Sequence, residues 1–129
     1  MNTRMLSKLM IEKKDEELSL VTDYGLDALA AVLHETAISK GFWEGPINHD
    51  KIGNKLALVH SEVTEVLEAI RKNKGSEEIV EEMSDVIIRL LDLFAAMNNG
   101  GFITHSLDEV LFNKMEINKS RPKLHGNLF

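Results

Sequence analysis

A chain of 129 residues with a net charge of −6 and no Cys is sized for one domain with a modest core of its own. It has neither disulfide nor thiolate metal site, and its acidic balance excludes a general nucleic-acid binder, which needs a basic face. Apolar residues make up 43% and aromatics only 5%; Leu, Ile, Met and Ala fill that share, a mix that predicts an all-α fold.

Residues 1–22 come first. Met5, Leu6, Leu9 and Met10 have helical spacing, and the charge run Glu12-Lys13-Lys14-Asp15-Glu16-Glu17 follows. The segment reads as a short helix or an arm, set apart from a domain at residues 23–129. The charge run excludes a secretory apolar stretch here, and no apolar run in the chain approaches a bilayer span. No membrane association and a cytoplasmic location are the expectations.

Thr22 and Asp23 read as helix-start residues. Leu26, Leu29, Ala30, Leu33 and Ala37 follow with a period near 3.6, and Gly41 stands where the helix should stop. His34 lies on this helix and Phe42-Trp43 just past it, before Pro46 bars continuation. Asp50 is the expected cap of a second helix, Lys51 to Lys72. Gly75 and Ser76 read as a C-terminal glycine and a new N-cap. The third helix opens on Glu77 and Glu78, where the dipole favours acids, and runs to about Met97. Ser106 and Glu109 have the form of a capping box, and a fourth helix, Leu107 to Lys119, stops before Pro122. The predicted architecture is a four-helix bundle.

The second and third helices each carry two acids three residues apart, Glu62 with Glu65 and Glu82 with Asp85. That spacing places each pair on one face, about 5–6 Å apart at Cβ. On a helical wheel, Leu56, Val59, Val63, Val66, Leu67 and Ile70 form an apolar arc, and Glu62 falls in its extension between Val66 and Ala69. An acid buried there unpaired would be destabilising by several kcal/mol, on the order of a lost buried ion pair, so Glu62 needs a partner. On the third helix, Ile79, Val80, Met83, Val86, Ile87, Leu90, Leu91 and Phe94 make the expected core stripe, with Glu82 at its edge and Asp85 further out. A turn centred near Lys74–Gly75 lets all four carboxylates converge within about 11 Å, two helical turns. Oxygen donors without Cys favour a hard cation, Mg²⁺ before Ca²⁺ or Zn²⁺. The simpler alternative is a solvated acidic face; two pairs phased across one hairpin favour the cation.

At these residues the chain resembles the MazG-like nucleoside triphosphate pyrophosphohydrolases, of the all-α NTP pyrophosphatase superfamily. The E-x-x-E, spacer, E-x-x-D signature falls on Glu62, Glu65, Glu82 and Asp85. LALVHSEVTEVLEAI, EEMSDVIIRLLDL and the closing KMEINKSRP, Lys114 to Pro122, are similar too. His34 with Trp43 is similar to the base-contacting pair of the dCTP pyrophosphatase branch. The resemblance spans roughly Asp23 to Pro122. It implies a MazG-like bundle and hydrolysis of a (deoxy)nucleoside triphosphate between the α- and β-phosphates, giving monophosphate and pyrophosphate. It further implies Mg²⁺, with Mn²⁺ as a substitute, on Glu62, Glu65, Glu82 and Asp85, with Glu62 and Glu65 serving the catalytic step.

His34 and Trp43 would then contact the base. Lys114, Asn118 and Arg121, four and three residues apart, would form one stripe toward the terminal phosphates. One departure stands out: many members have a second Glu where Ser61 precedes Glu62. Apolar residues on several helix faces call for more burial than four helices supply, and a homo-dimer or homo-tetramer is expected. Phosphoribosyl-ATP pyrophosphatase is the sister reading within the fold, and a non-enzymatic helical adaptor the reading outside it. A ferritin-type di-iron centre is disfavoured, because its Glu-x-x-His is absent: Ala31, Pro46, Ala57, Phe102 and Pro122 stand three before the five His.

Overall fold

The structure, a computed structural model, describes residues 3–19 and 23–129. Five α-helices follow one another: α1 (Thr3–Ser19), α2 (Gly25–Ser39), α3 (His49–Arg71), α4 (Ser76–Asn99) and α5 (Leu107–Ser120), with a 3₁₀ turn at Lys123–Gly126. Among the described residues there is no strand, and no helix is long and apolar enough to cross a membrane. Within the N-terminal segment, Thr3–Ser19 is helical. The predicted bundle is α2 to α5: α3 and α2 both pack on α4, and α5 packs on α2, while α1 takes no part in these three packings.

Small residues set the closest approach. Ala30 of α2, wholly buried, meets Leu91 and Ala95 of α4, and Leu26, Leu29, Leu33, Phe94 and Leu107 close around them. Alanines at a crossing bring two backbones near, and the leucines fill the flanks.

The N-terminus of α2 is capped from a distance. Thr22 lies outside the described residues, and Asp23 and Tyr24 precede the helix with no side-chain cap from Tyr24. Instead the Asp108 carboxylate of α5 accepts from Leu26 N (2.8 Å) and Asp27 N (3.0 Å). The exchange is mutual: Asp27 accepts from Leu107 N (2.8 Å) and from Ser106 Oγ (2.5 Å), while Ser106 Oγ also accepts from Glu109 N (3.2 Å), as the capping-box reading expects. Each acid thus sits at the positive end of the other helix. Gly25 permits it, with φ +83° and a backbone so close to Asp108 that a Cβ would lie 2.8 Å from Oδ2. Asp108→Ala leaves two helix-end donors without their acceptor, and a loss of about 2 kcal/mol is expected in urea unfolding. An unchanged midpoint would refute the cap exchange.

Two other caps differ from expectation. Asn48, not Asp50, caps α3, accepting from Lys51 N at 2.9 Å. At the hairpin, Asn73 (φ +50°) is the left-handed residue that ends α3, with Lys74 N reaching back to Ala69 O. Gly75 (φ +97°) is the N-cap of α4, and Ser76 is already helical. Gly41 does end α2 as predicted: its φ is +81°, and the bonds Gly41 N to Ile38 O and Phe42 N to Ala37 O close a Schellman motif. That turn folds Phe42 and Trp43 back along the bundle.

The expected core stripes hold in part: Val59 and Val66 on α3 and Ile79, Val86, Leu91 and Phe94 on α4 are withdrawn from solvent, and Leu91 and Phe94 belong to the core around Ala30. Leu56, Val63, Leu67 and Ile70 on α3, and Val80, Met83, Ile87 and Leu90 on α4, are each about half exposed. Among the residues withdrawn from solvent, Val59, Glu62, Val66 and Ala69 on α3 and Ile79, Glu82, Val86, Arg89, Leu93 and Ala96 on α4 form two regular series. Both sets repeat at three or four residues, the spacing of a helix–helix seam. Helix α3 therefore has a wide apolar arc turned outward and a narrower, partly polar one turned to α4.

Candidate active site

The polar seam opens into a cleft of about 400 Å³ lined by residues of α2, α3 and α4 and the turn after α2. Leu33, Ala37, Phe42 and Ile88 give it an apolar wall. Three carboxylates, Glu62, Asp85 and Asp92, and three cations, Lys40, Lys55 and Arg89, also line it. Its volume lies within the usual range for small-molecule sites, and a mostly apolar pocket with a few converging charges is the usual form of one.

Three of the four predicted acids meet. Glu62, Glu82 and Asp85 each offer a carboxylate oxygen, and the three lie within 4.8 Å of one another. Glu65 is exposed and outside this group, so the set of four read from the sequence becomes three plus a neighbour. The mutual repulsion is visible at Glu82, whose carboxyl is held above its ordinary range. Desolvation is the largest cause, followed by the negative charges of Asp85, Glu65, Glu62 and Glu78. A carboxyl raised in the native state holds a proton that the unfolded chain has lost. Its stabilising contribution is therefore complete below the unfolded value and disappears as pH rises through the folded one. In a chelator, Glu82→Gln is expected to be more stable than the wild type at neutral pH, with the gap closing as pH falls below the ordinary glutamate range. Thermal melts of both proteins across pH check this; a gap that ignores pH sinks it.

Clustered acids that raise one another's affinity for protons equally favour a cation. The donor set, all carboxylate oxygen, fits a hard ion such as Mg²⁺. Ser61, where the resemblance leads one to expect a second Glu, adds nothing to it: its hydroxyl donates to Leu58 O of its own helix at 2.7 Å.

The partner that Glu62 requires is Arg89, whose Nε donates to Glu62 Oε1 at 2.6 Å. Behind the cleft stands a second cluster. The Asp92 carboxylate lies 2.7 Å from His34 Nδ1 and accepts from Trp43 Nε1 at 3.0 Å, and the two rings meet edge to face at 5.5 Å. An ionised carboxylate only accepts, so Nδ1 carries the proton. Lys55 closes the group, its ammonium 4.7 Å from the centre of the Trp43 ring and donating to Phe42 O at 2.8 Å.

His34 is therefore buried and Trp43 engaged from two sides. Phe42, more than half exposed, lines the cleft, whereas His34 and Trp43, expected to contact the base, stand behind its lining. Lys114, Asn118 and Arg121 are not brought to the cleft; all are exposed, and α5 packs on α2. They also do not share one stripe, since Arg121 is the C-cap of α5 with extended backbone, and its guanidinium lies 3.3 Å from His125 Nδ1.

Arg89, Asp92, Lys55 and Phe42 are the residues that sequence reasoning missed. Spacing held a signal for three of them: Glu82, Asp85, Arg89 and Asp92 follow at three, four and three residues, one polar stripe down α4. Lys55 likewise stands two turns before Glu62. The model of the MazG nucleotide pyrophosphohydrolase domain matches residues 52–122, which takes in most of α3 and all of α4 and α5. Neither a curated protein nor a solved structure matches the chain.

Proposed function

The chain belongs to the MazG nucleotide pyrophosphohydrolase family, and on that premise we propose that it hydrolyses (deoxy)nucleoside triphosphates to monophosphate and pyrophosphate with Mg²⁺. What supports this most is one juxtaposition: Glu62 and Asp85, of a three-carboxylate group within 4.8 Å, border the same cleft as an apolar wall and three cations. A nucleoside triphosphate needs those three environments together.

Glu62, Glu82 and Asp85 are the residues that would hold the ion. When bound there, a divalent cation neutralises phosphate oxygens and makes a water acidic enough to attack. Glu65, beside the group and outside it, receives the proton that the attacking water gives up. Leu33, Ala37, Ile88 and the exposed Phe42 ring enclose the base, and His34 and Trp43 hold that wall from behind through Asp92. Positioning and charge compensation are the main work of such sites, since phosphoryl transfer asks little covalent chemistry of the protein.

Lys114, Asn118 and Arg121 reach a nucleotide only where a second copy brings α5 to the cleft. The half-exposed apolar arcs of α3 and α4 support such an assembly, and we propose a homo-dimer or homo-tetramer. Light scattering that returns a monomer mass would contradict it. Control of the nucleotide pool, in the cytoplasm, is the role this activity suits.

The decisive assay incubates the protein with each dNTP and NTP and Mg²⁺ and follows monophosphate and pyrophosphate. Release of pyrophosphate from at least one, lost in EDTA and restored by Mg²⁺ or Mn²⁺, is expected. No product from any of them overturns the proposal, and turnover of phosphoribosyl-ATP alone would transfer it to the sister activity.

A further inference from the structure

We propose that Arg89 is a substrate-binding residue that bridges the acid cluster and the nucleotide, its Nε fixed on Glu62 and its two Nη groups on the phosphate chain. The proposal rests on the reading of the cleft as a nucleoside triphosphate site.

A guanidinium carries five N–H donors in one plane. Arg89 spends one of them, Nε to Glu62 Oε1 at 2.6 Å. The four on Nη make no hydrogen bond to any described residue, yet no side-chain nitrogen or oxygen there is both buried and without a partner. The Nη groups therefore face solvent, in the wall of the cleft that Arg89 lines. With the Arg89 side chain 37% exposed and that of Glu62 15%, the inner half of the pair is the acid and the outer half the cation.

The other two cations of the cleft are placed for other work. Lys55 is committed to the turn after α2, bonded to Phe42 O and lying over the Trp43 ring. Lys40 is the C-cap of α2, with no bond to an acid of the cluster. Arg89 alone of the three is joined to an acid of the cluster, one turn beyond Asp85 on the same helix.

Electrostatics then demands what the geometry offers. Glu62, Glu65, Glu82 and Asp85 together repel a triphosphate, and a positive group held inside their field offsets part of that repulsion at the point of contact. A guanidinium suits this position better than an ammonium. Its rigid fork serves a carboxylate on one edge and a phosphate on the other, whereas an ammonium is a single point charge.

The test uses the full-length chain with Arg89→Gln and Arg89→Lys. Trp43 is the only Trp, so its emission reports binding of an α,β-methylene deoxynucleoside triphosphate without turnover; calorimetry repeats the titration. Stabilisation by Mg²⁺ alone is read by thermal melts. Arg89→Gln is expected to weaken the analogue about 10- to 100-fold, the scale of lost hydrogen bonds to a charged group. Its melting shift with Mg²⁺ should be kept, since Glu62 is then freed for the ion. Arg89→Lys should fall between the two, about fivefold weaker, because it keeps the charge and loses the fork.

Analogue affinity within twofold of the wild type in both variants overturns the proposal. So does parallel loss of analogue binding and Mg²⁺ shift, which is the signature of an arginine that only positions Glu62. Should Arg89→Gln not fold, Arg89→Lys decides alone, and unchanged affinity there overturns it. A wild-type chain that neither cleaves nor binds any nucleotide refutes the proposed function itself, before any variant is made.

Discussion

Glu62→Gln is expected to lower kcat by about 10²- to 10³-fold, on the scale of removing one electrostatic partner of a transition state, while leaving the fold intact. The carbonyl of the new amide still accepts from Arg89 Nε, so the contact between α3 and α4 survives; what goes is the charge. With it goes one of the three carboxylates, Glu62, Glu82 and Asp85, proposed to hold the ion. The effect on stability runs the other way, because one of the charges that raise the Glu82 carboxyl has been removed. The variant should therefore melt within a few degrees of the wild type in EDTA and fail to gain stability when Mg²⁺ is added, whereas the wild type gains it by mass action. Melting curves with and without Mg²⁺, beside initial rates, read both effects. A variant that keeps a third or more of the wild-type rate would remove Glu62 from the mechanism.

The contrast between that residue and its neighbours shows what a sequence can carry. Glu62 was legible because an acid in an apolar arc is a local contradiction, and local contradictions need no knowledge of the partner. The identity of its partner was not local. Arg89 is 27 residues away, and only the register of α3 against α4 brings the two together. The half of each core stripe that turned out exposed, Leu56, Val63, Leu67 and Ile70 on α3 and Val80, Met83, Ile87 and Leu90 on α4, was misread for the same reason. Periodicity shows that α3 has a broad apolar sector, but Val63 and Val59 belong to adjoining parts of it. Which part meets α4 is decided by packing across the hairpin, in the register that the Glu62–Arg89 pair marks. The outward sector is then left for another surface.

Helix ends divide similarly. The Gly41 stop and the cap from Ser106 to Glu109 N act through bonds between residues within five positions, and both were readable. The Asp27–Asp108 exchange joins residues 81 apart, so the caps that hold α2 to α5 left no pattern of their own. Glu65 marks a finer limit. Its three-residue spacing from Glu62 is as good as that of Asp85 from Glu82, yet one lies within the group and the other beside it. A wheel gives angle, and a ligand set needs distance.

Asp92→Ala is expected to have the largest effect on the apolar half of the site. His34 and Asp92 are both withdrawn from solvent, with side-chain exposures of 9% and 14%, and the indole of Trp43 shares the same carboxylate. Removing it leaves two donors, His34 Nδ1–H and Trp43 Nε1–H, without an acceptor. At about 1–3 kcal/mol for each unsatisfied group, the loss is on the order of 2–6 kcal/mol, a large part of the stability of a small domain. Asp92→Asn should lie between, because the amide oxygen can still accept from one of the two. The carboxylate touches neither Glu62 nor the acid cluster in this arrangement; it fixes the wall that Phe42 and the end of α2 form. KM for the preferred nucleotide should therefore rise further than kcat falls, the reverse of Glu62→Gln, since uniform binding and not the chemical step is weakened. Trp43 gives a readout independent of activity: freed from Asp92, its emission should move to longer wavelength in Asp92→Ala and less so in Asp92→Asn. Unchanged emission together with an unchanged melting temperature in Asp92→Ala would show that His34 and Trp43 hold their places without it.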